Sequence, residues 1–223
     1  MKKNLFPLLI VIFSYPALSQ GLSFSYLIPK NGYLSAPVSP FSIRGIGIGG
    51  TVGLESGFTL YSMPGLAMSG LPFKSDKPLS GPNWTVLVPG QATFSFRFGV
   101  VGIKILGGGF AIAHLNSRLN LGNMDRAIAE HEGWDIASSS LKSSSKLGYG
   151  WIAGTEFEFK VSKKFSITTE LQYLRGNSKT TITGSYAGGD IGGVIEQKEA
   201  DFGSPKTNLE GLEISIGVKL QGK

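Results

Sequence analysis

The sequence predicts an all-β protein, an eight-stranded antiparallel up-and-down transmembrane β-barrel with short periplasmic turns and long extracellular loops. Three features of the 223-residue chain lead to this fold class. The chain opens with an export segment, its hydrophobicity alternates with a period of two residues, and the connections between the alternating segments are short and long in turn. An exported chain with that pattern is typical of an outer-membrane barrel.

The first 19 residues have the three parts of a secretory signal peptide. Residues 1–4 carry two lysines, residues 5–13 are apolar, and Ala17-Leu18-Ser19 has small residues at the positions that precede cleavage. We therefore expect cleavage before Gln20, which leaves a barrel domain over residues 20–223. The apolar run is too short to span a bilayer as a helix, and no later run reaches the ~18 residues of a transmembrane helix.

Period-two alternation identifies eight strands. The last is the clearest, because every even position from Leu212 to Leu220 is aliphatic and every odd position is polar or Gly. Such a strand has one face against apolar surroundings and the other against polar groups. Two strands lose the alternation, around Arg44-Gly45 and around Gly107-Gly108-Gly109, where the glycines predict a bulge or a close backbone approach. The predicted strands span residues 21–29, 41–49, 52–63, 84–98, 101–115, 147–161, 165–173 and 212–220.

The connections are of two kinds. Four are roughly 11, 20, 30 and 30 residues long, beyond ordinary hairpin lengths, and an even number of strands then places both chain ends on the periplasmic side. The other three are tight turns, at Gly49-Gly50-Thr51, Phe98-Gly99-Val100 and Ser162-Lys163-Lys164.

The long loops contain predicted structure of their own. A two-turn helix is expected over residues 123–133, capped by Asn123 and ended by Gly133. A Ser-rich stretch over residues 138–145 is expected to be mobile. Residues 180–186 and 191–202 alternate again, which predicts strands that project beyond the membrane.

Alternation does not by itself decide which face points inward, since a soluble lipocalin-like carrier has apolar residues inside its barrel. The polar faces here are rich in Gly, Ser and Thr, which fit a narrow lumen, and the strands carry few charges for an outer face in water. Aromatic residues also gather at strand ends, as in the two interfacial girdles of a membrane barrel. Those beside the short turns are Phe96, Phe98, Phe157, Phe159 and Phe165, and those toward the long loops are Tyr26, Trp84, Tyr149 and Tyr173.

With this architecture the chain, from Gln20 to Leu220, resembles the small eight-stranded outer-membrane β-barrels of the OmpX-like and OmpA-transmembrane-domain class. The resemblance implies a monomer in the bacterial outer membrane, contact with lipid and lipopolysaccharide, and insertion by the barrel-assembly machinery. That machinery prefers a final strand with a terminal aromatic residue, and Leu220 stands in its place here. We therefore expect a non-enzymatic role in structure or surface interaction, with the external loops contacting lipopolysaccharide or a partner.

Composition excludes several other functions. The chain has no cysteine, which excludes a disulfide scaffold, a thiolate metal site and a cysteine nucleophile. Its net charge is +6, and +4 without Lys2 and Lys3, which is too mild and dispersed for a nucleic-acid partner. We expect neither a cofactor nor a metal. A small-solute pore is disfavoured, because side chains normally fill the lumen of an eight-stranded barrel.

Two groups of charged residues are candidate sites. On strand seven, outward parity puts Arg175 just above Tyr173, at the outer boundary of the hydrocarbon layer, and Arg118 starts a long loop at a comparable height. Both are candidates to contact a lipid A phosphate, the alternative being side chains that merely reach headgroup water. The second group lies in the lumen, where opposite charges on neighbouring strands can meet, and consists of Arg97, Lys104, Glu156, Glu158, Glu170 and Lys219.

Histidine chemistry would depend on His114 or His131, the two histidines of the chain. Lipid A deacylase barrels carry a local His-x-Ser-Asn signature, and the run here, His114-Leu115-Asn116-Ser117, departs from it. A lipid A-modifying enzyme of the deacylase or acyltransferase type is therefore the alternative, and a hydrogen-bonded histidine in the upper lumen is favoured. His131 lies between Glu130 and Glu132 in the predicted loop helix, where adjacent side chains point apart and do not suit a metal site.

Overall fold

A computed structural model describes residues 19–30, 38–48 and 51–221, and these ranges contain eleven strands and one helix. The predicted export segment and the predicted turn at Gly49-Gly50 lie outside the described residues, apart from Ser19 and Thr51. In chain order the elements are β1 (Ser19–Pro29), β2 (Val38–Ile48), β3 (Val52–Met63), β4 (Met68–Ser69), β5 (Asn83–Phe98), β6 (Val101–His114), α1 (Leu121–Glu132), β7 (Ile136–Ser145), β8 (Gly148–Lys160), β9 (Phe165–Gly189), β10 (Glu196–Glu199) and β11 (Lys206–Gln221).

Eight of the strands close into an antiparallel barrel, which confirms the predicted fold class. The order around the ring is β1, β2, β3, β5, β6, β8, β9 and β11, and β11 pairs again with β1. Val218 of β11 lies opposite Leu22 of β1 on one side and opposite Ile167 of β9 on the other. The tight turn between β5 and β6 is at Gly99, where a φ of 59° favours glycine.

The outer surface of the ring is an apolar belt. Alternate side chains of the barrel strands point away from the lumen and are exposed although they are large and hydrophobic. A belt of this size would be unstable in water and is the lipid-facing surface of a membrane barrel. In the part of the chain that the structure describes, no helix is long and apolar enough to cross a membrane. The belt includes Leu22, Phe24, Leu54, Phe94, Ile105, Phe157, Ile167, Leu171, Ile216 and Val218.

The lumen is filled in two layers. Toward the short turns it holds buried charged and polar side chains, among them Lys104, Glu156 and Glu213. Toward the long connections it holds a buried apolar cluster, so that the upper lumen resembles the core of a globular protein. This upper cluster consists of Leu27, Tyr61, Met63, Leu66, Leu87, Phe110, Ile112, Ile152, Leu174 and Leu209.

Beyond the upper lumen the long connections form a folded cap, made of β4, α1, β7, residues 180–189 of β9, and β10, with the segments that join them. Three of its strands, β7, β9 and β10, form a sheet, and α1 packs against β7. The cap has a hydrophobic core separate from that of the lumen. The core consists of Phe73, Leu79, Met124, Ala127, Ile128, Leu141, Ile182, Tyr186 and Phe202.

The structure corrects two predictions for the cap. The helix begins at Leu121 with Asn120 as its N-cap, and the amide of Asn123 donates to the side chain of Asn120 at 3.2 Å. Gly133 ends the helix in the left-handed conformation, as predicted. The Ser-rich stretch is not a mobile loop but strand β7, because it pairs with β9 over its whole length and buries Leu141 in the cap core.

Further along, β9 runs without a break from the barrel to Gly189, which confirms that the 180–186 segment is a strand projecting beyond the membrane. Of the predicted 191–202 segment, Glu196–Glu199 is a strand.

The two predicted irregularities in the barrel have different outcomes. The β2–β3 register shifts between Ile43 and Ile46, and Gly45 has a φ of 73°, so that the expected bulge is present. No register shift occurs at Gly107-Gly108-Gly109, where β6 pairs regularly with β5 and β8. The alternation there is lost for another reason, because Leu106 and Phe110 point into a lumen that is itself apolar at this height.

Candidate functional site

The lower lumen contains a chain of ion pairs that begins at Lys104. The Lys104 ammonium lies 2.8 Å from an oxygen of Glu55 and 3.3 Å from Glu156, and its side chain is only 8% exposed. The cross-strand register explains the contact with Glu156, because β6 and β8 place Lys104 and Glu156 directly opposite each other. Both side chains therefore face the lumen at the same depth.

The chain of ion pairs continues toward the short turns. Lys219 on β11 lies 3.6 Å from Glu156 and 3.6 Å from Glu158. Glu158 also accepts hydrogen bonds from Arg97 and from the Ser166 hydroxyl, each at 2.9 Å. The side chain of Arg97 is 53% exposed, so this residue lies at the open lower edge of the layer. Five of the six predicted lumen charges are thus linked through direct contacts.

The sixth, Glu170, belongs to a second group, which contains Arg44, a cation outside the predicted set. Arg44 is buried between Glu170, at 3.9 Å, and Glu213, to which it donates a hydrogen bond. Glu170 also accepts from Gln172 on its own strand. Strand parity does not identify Arg44 as a lumen residue, because it lies at the bulge of β2, whereas Glu55 and Glu213 lie on the polar faces of their strands, where parity does identify them.

Together these contacts fill the lower lumen. Four cations (Arg44, Arg97, Lys104 and Lys219) meet five carboxylates (Glu55, Glu156, Glu158, Glu170 and Glu213), so the opposite charges nearly balance. Buried charges are stable only when they are paired in this way. Chemically, the arrangement links strands of the barrel through their inward side chains.

His114 lies at the top of the lumen and is held by two hydroxyls. Its Nδ1 is 2.7 Å from the hydroxyl of Thr85 and its Nε2 is 2.9 Å from that of Ser178. Ser178 is buried, and both ring nitrogens of His114 are used by these contacts. A serine nucleophile activated by histidine needs a third group to orient the base and a path for substrate. The hydroxyl of Thr85 occupies the place where such an orienting carboxylate would be.

The outer rim of the barrel carries Arg175, exposed on the outward face of β9. Its Nε lies 3.7 Å from Glu210, which also accepts hydrogen bonds from Lys30 at 2.8 Å and from the Tyr173 hydroxyl at 2.6 Å. The rings of Tyr173 and Trp151 are 5.6 Å apart just below this group. Two cations and one carboxylate thus lie above aromatic side chains on the lipid-facing surface.

Arg118, the second candidate for a phosphate contact, is not beside Arg175. It follows β6, which is two strands away from β9 around the ring. Its backbone is held in the cap, because its amide donates to the Asn83 side chain at 2.9 Å and its carbonyl accepts from Gly81 at 2.8 Å. The backbones of the two arginines are therefore separated by β8, and a shared phosphate contact stays a prediction.

In the cap, Glu132 at the end of α1 accepts hydrogen bonds from Lys198 of β10 at 2.6 Å and from the Tyr186 hydroxyl at 2.8 Å. These bonds hold the pKa of the Glu132 carboxyl below its ordinary value. Hydrogen bonding to Glu132 likewise raises the pKa of Lys198, and burial together with the same carboxylate raises the pKa of Tyr186. His131 does not point to its neighbours in sequence but packs against the ring of Phe73, 5.8 Å away.

Comparison with known proteins tests the fold directly. Over 91% of this chain and 94% of the other, the structure superposes on the outer membrane protein OprG from Pseudomonas aeruginosa with a TM-score of 0.54 at 10% sequence identity. The chain has the fold of the small outer-membrane β-barrels. Together with the apolar belt, this fold locates the protein in a bacterial outer membrane.

Other comparisons are weaker or negative. The Neisserial surface protein A is matched over 91% of this chain and 94% of its own at 11% identity, with a TM-score of 0.43. The outer membrane protein AlkL is matched over 93% and 91% at 12% identity, with a TM-score of 0.39. No family model and no curated protein sequence matches the chain.

Proposed function

We propose that this barrel is a non-enzymatic surface protein, which holds the folded cap at the cell surface and contacts lipopolysaccharide around its outer rim. The observation that carries the proposal is the filled lumen, in which ion pairs occupy the lower layer and apolar side chains the upper one. A filled lumen has no room for a solute pathway, so the surfaces left for function are the cap and the rim. Reconstituted in planar bilayers, the protein should give no steady ion conductance, and a stable channel would contradict the proposal.

The lipid contact is assigned to Arg175. A guanidinium at the bilayer midplane costs about 2–4 kcal/mol and much less at the interface, and Arg175 lies above the Tyr173 and Trp151 rings, where the interface is expected. Its five N–H groups allow paired hydrogen bonds to a phosphate, and one contact at 3.7 Å to Glu210 leaves most of them available. Lys30, bonded to the same carboxylate, adds positive charge beside it.

Thermal unfolding of the refolded protein with and without purified lipopolysaccharide tests this contact. We expect lipopolysaccharide to raise the Tm of the wild type, Arg175→Ala to lose most of the increase, and Arg175→Lys to keep part of it, since lysine retains the charge but not the planar fork. Lys163→Ala, in the turn at the opposite end of the barrel, is the matched control and should respond as the wild type does. An unchanged increase in Arg175→Ala would remove the phosphate contact from the proposal and leave the barrel untouched.

A lipid A-modifying enzyme is the second candidate, because His114 and Ser178 lie within 2.9 Å of each other. Ser178 is buried at the top of the lumen, and the second nitrogen of His114 is bonded to Thr85 rather than to a carboxylate. Incubation of purified protein with lipopolysaccharide, followed by mass spectrometry of the lipid A, should show neither loss nor gain of an acyl chain. A mass change that disappears in His114→Gln would replace our proposal with the enzyme.

The route to the membrane completes the proposal. A signal peptide over residues 1–19 would be removed before Gln20, and the barrel-assembly machinery would insert the remaining chain. Ser19 pairs with Gln221 at the first position of the β1–β11 ladder, so cleavage at this bond removes one residue pair from the seam and keeps the rest. The amino-terminal sequence of the protein isolated from membranes would reveal the cleavage site.

A further inference from the structure

The barrel wall extends beyond the membrane on one side only, at β9. Residues 165–179 of β9 pair with β8 and β11 in the barrel, and residues 180–189 pair with β7 in the cap. β7 continues the line of β8 along the same edge of β9, because Ser145 lies opposite Thr180 and Tyr149 lies opposite Asn177. From Ser145 to Tyr149 the chain advances four residues, whereas from Asn177 to Thr180 β9 advances three. The β7–β8 side therefore carries one extra residue near Lys146 and Leu147, which forms a bulge. The two strands therefore present one continuous outward face.

The chemistry of this outward face changes with height. Within the membrane it is apolar and aromatic, up to Tyr149, Trp151 and Tyr173. Just above these rings it is basic, with Arg175, Lys146 and Lys179, and higher still it consists mainly of hydroxyls, with Lys142 opposite Thr183 among them. Over residues 136–147 and 175–187, none of the outward positions is Asp or Glu, and the carboxylate of Glu199 borders the face, because β10 places Glu199 opposite Ser185. The basic residues are Arg175, Lys179, Lys146 and Lys142, and the hydroxyl residues are Ser138, Ser140, Ser144, Thr181, Thr183 and Ser185.

The outward hydroxyls differ from the inward ones in their hydrogen bonds. On the inward face, Ser139 donates to Asp125, and Thr180 is bonded to both Ser145 and Thr207. Across the described residues, by contrast, the six outward hydroxyl side chains form no side-chain hydrogen bond within the protein. Cross-strand pairing brings them close together, with Ser140 opposite Ser185 and Ser144 opposite Thr181. They form a regular array of unused donors and acceptors.

We propose that this face, termed the hydroxyl face, binds the saccharide part of lipopolysaccharide. The inference rests on the proposed function and deepens it, since it adds sugar recognition to the phosphate contact of Arg175. A lipopolysaccharide molecule presents acyl chains, then phosphates, then sugars with increasing distance from the membrane. The wall of β7, β8 and β9 presents apolar side chains, then the basic side chains of Arg175, Lys146 and Lys179, and then mainly hydroxyls, in the same order.

Distances along β9 agree with this match. A strand rises about 3.3 Å per residue, so Thr181 to Ser185 lie roughly 26 to 40 Å along the strand beyond Tyr173, less in height because barrel strands are tilted. That is the region of the sugars rather than of the lipid headgroups. The face is also stiff, since Leu141 and Ile182 on its reverse side are buried in the cap core. A rigid array loses little conformational entropy when it binds.

The composition of the face favours a sugar over a protein partner. Protein interfaces have cores enriched in aromatic residues and Met, with few serines, whereas the centre of this face is Ser and Thr. Hydroxyls act as both donors and acceptors and so match the hydroxyls of a sugar. Lys146 and Lys179 at its lower edge complement the phosphates that lie between lipid A and the outer sugars.

The test compares two probes on the folded, full-length protein in detergent micelles. One is purified lipid A, and the other is a rough lipopolysaccharide with the same lipid A and a core oligosaccharide. We expect the wild type to bind the core-bearing probe about tenfold more tightly than lipid A. The double variant Ser140→Ala/Thr183→Val removes two outward hydroxyls and should lose this preference. Ser143→Ala removes a hydroxyl from the opposite face of β7 and should keep it.

The outcomes separate this inference from the proposed function. Arg175→Ala should lower the affinity for both probes by the same factor, which leaves the preference for the sugar-bearing probe unchanged. Equal affinity of the wild type for the two probes would overturn saccharide binding and leave the phosphate contact of Arg175 unaffected. If the wild type bound neither probe, both saccharide binding and the phosphate contact would be overturned. A preference that survives in the double variant would also overturn the role of the hydroxyl face. If the double variant does not fold, the single variant Ser185→Ala should still reduce the preference.

Discussion

At the scale of single residues, Lys104 is a nearly fully buried cation of the lumen. Replacing it with Met keeps the length of the side chain but leaves Glu55 and Glu156 without the ammonium that lies 2.8 and 3.3 Å from them. An uncompensated buried charge costs about 3–5 kcal/mol, so Lys104→Met should lower the free energy of unfolding by that amount. Equilibrium urea unfolding in lipid vesicles measures the difference.

Arg97→Met is the matched control for this prediction. The Arg97 side chain is 53% exposed and pairs with Glu158 at the lower edge of the lumen. Ion pairs exposed to water contribute about 0–1 kcal/mol, so Arg97→Met should lower the free energy of unfolding only slightly. If Lys104→Met and Arg97→Met lowered the free energy of unfolding by equally small amounts, water would be screening the whole charged layer.

Glu132 gives the cap a predicted dependence on pH. Its carboxyl has a pKa held below the ordinary value of 4.5 by Lys198 and Tyr186. A carboxylate with a depressed pKa contributes stability that is complete above its ordinary value and is lost as the pH falls through the depressed one. We therefore expect the contact of Lys198 with Glu132 and with Trp134, 5.0 Å away, to open below about pH 4.5.

The fluorescence of Trp134 reports this opening, and Trp134→Phe separates its signal from those of Trp84 and Trp151. Glu132→Gln should abolish the transition, because an amide does not titrate in this range. A transition of unchanged midpoint in Glu132→Gln would assign the acid sensitivity to another group.

Single residues also show where sequence reasoning about the lumen succeeded and where it failed. Strand parity alone was enough to select Lys104, Glu156 and Lys219, since a period of two fixes the side on which each residue lies. Ile152 was an exception to the pattern of its strand, and it is one of the residues of the apolar upper lumen. Such exceptions carried information about a second layer, whereas the bulge at Arg44 removed the parity by which that residue could have been recognised.

At the scale of elements, β7 shows why a Ser-rich segment was misread. Serine favours loops in isolation, and the inward hydrophobic residues of β7 are only Ala137 and Leu141. Pairing with ten residues of β9 and packing against α1 outweigh that weak propensity. The tertiary partner, which lies some forty residues further along the chain, determines the strand, and no local pattern contains this information.

Leu141 is the residue that fixes β7 to the cap core, and the neighbouring Lys142 points to the opposite side. Leu141→Ala should destabilise the cap by about 2–5 kcal/mol, because it opens a cavity among packed apolar side chains. Hydrogen exchange should then be faster for the amides of β7 and of residues 180–189, while the amides of the barrel keep their protection. Lys142→Ala should change neither, and faster exchange in the barrel as well would mean that cap and barrel unfold as one unit.

At the scale of the whole molecule, the protein is a stack of three layers with different chemistry. Buried ion pairs fill the lumen near the short turns, an apolar cluster fills it above them, and the cap encloses a further core beyond the ring. The alternation of short and long connections predicted this polarity, because long connections can form the cap only at one end. The fold of the cap itself could not be predicted, since its core brings together Phe73, Met124, Ile182 and Phe202 from three separate connections.

The direction of this stack in the membrane is testable, because the chain has no cysteine of its own. Ser75→Cys lies in the segment between β4 and β5 on the cap side, and Lys163→Cys lies in the short turn between β8 and β9. A membrane-impermeant maleimide should label Ser75→Cys on intact cells, and should label Lys163→Cys only after the outer membrane is permeabilised. Both variants should be labelled fully once the envelope is opened, which controls for local reactivity. The opposite pattern on intact cells would mean that the barrel has the reverse orientation in the membrane. The hydroxyl face would then lie in the periplasm, away from lipopolysaccharide.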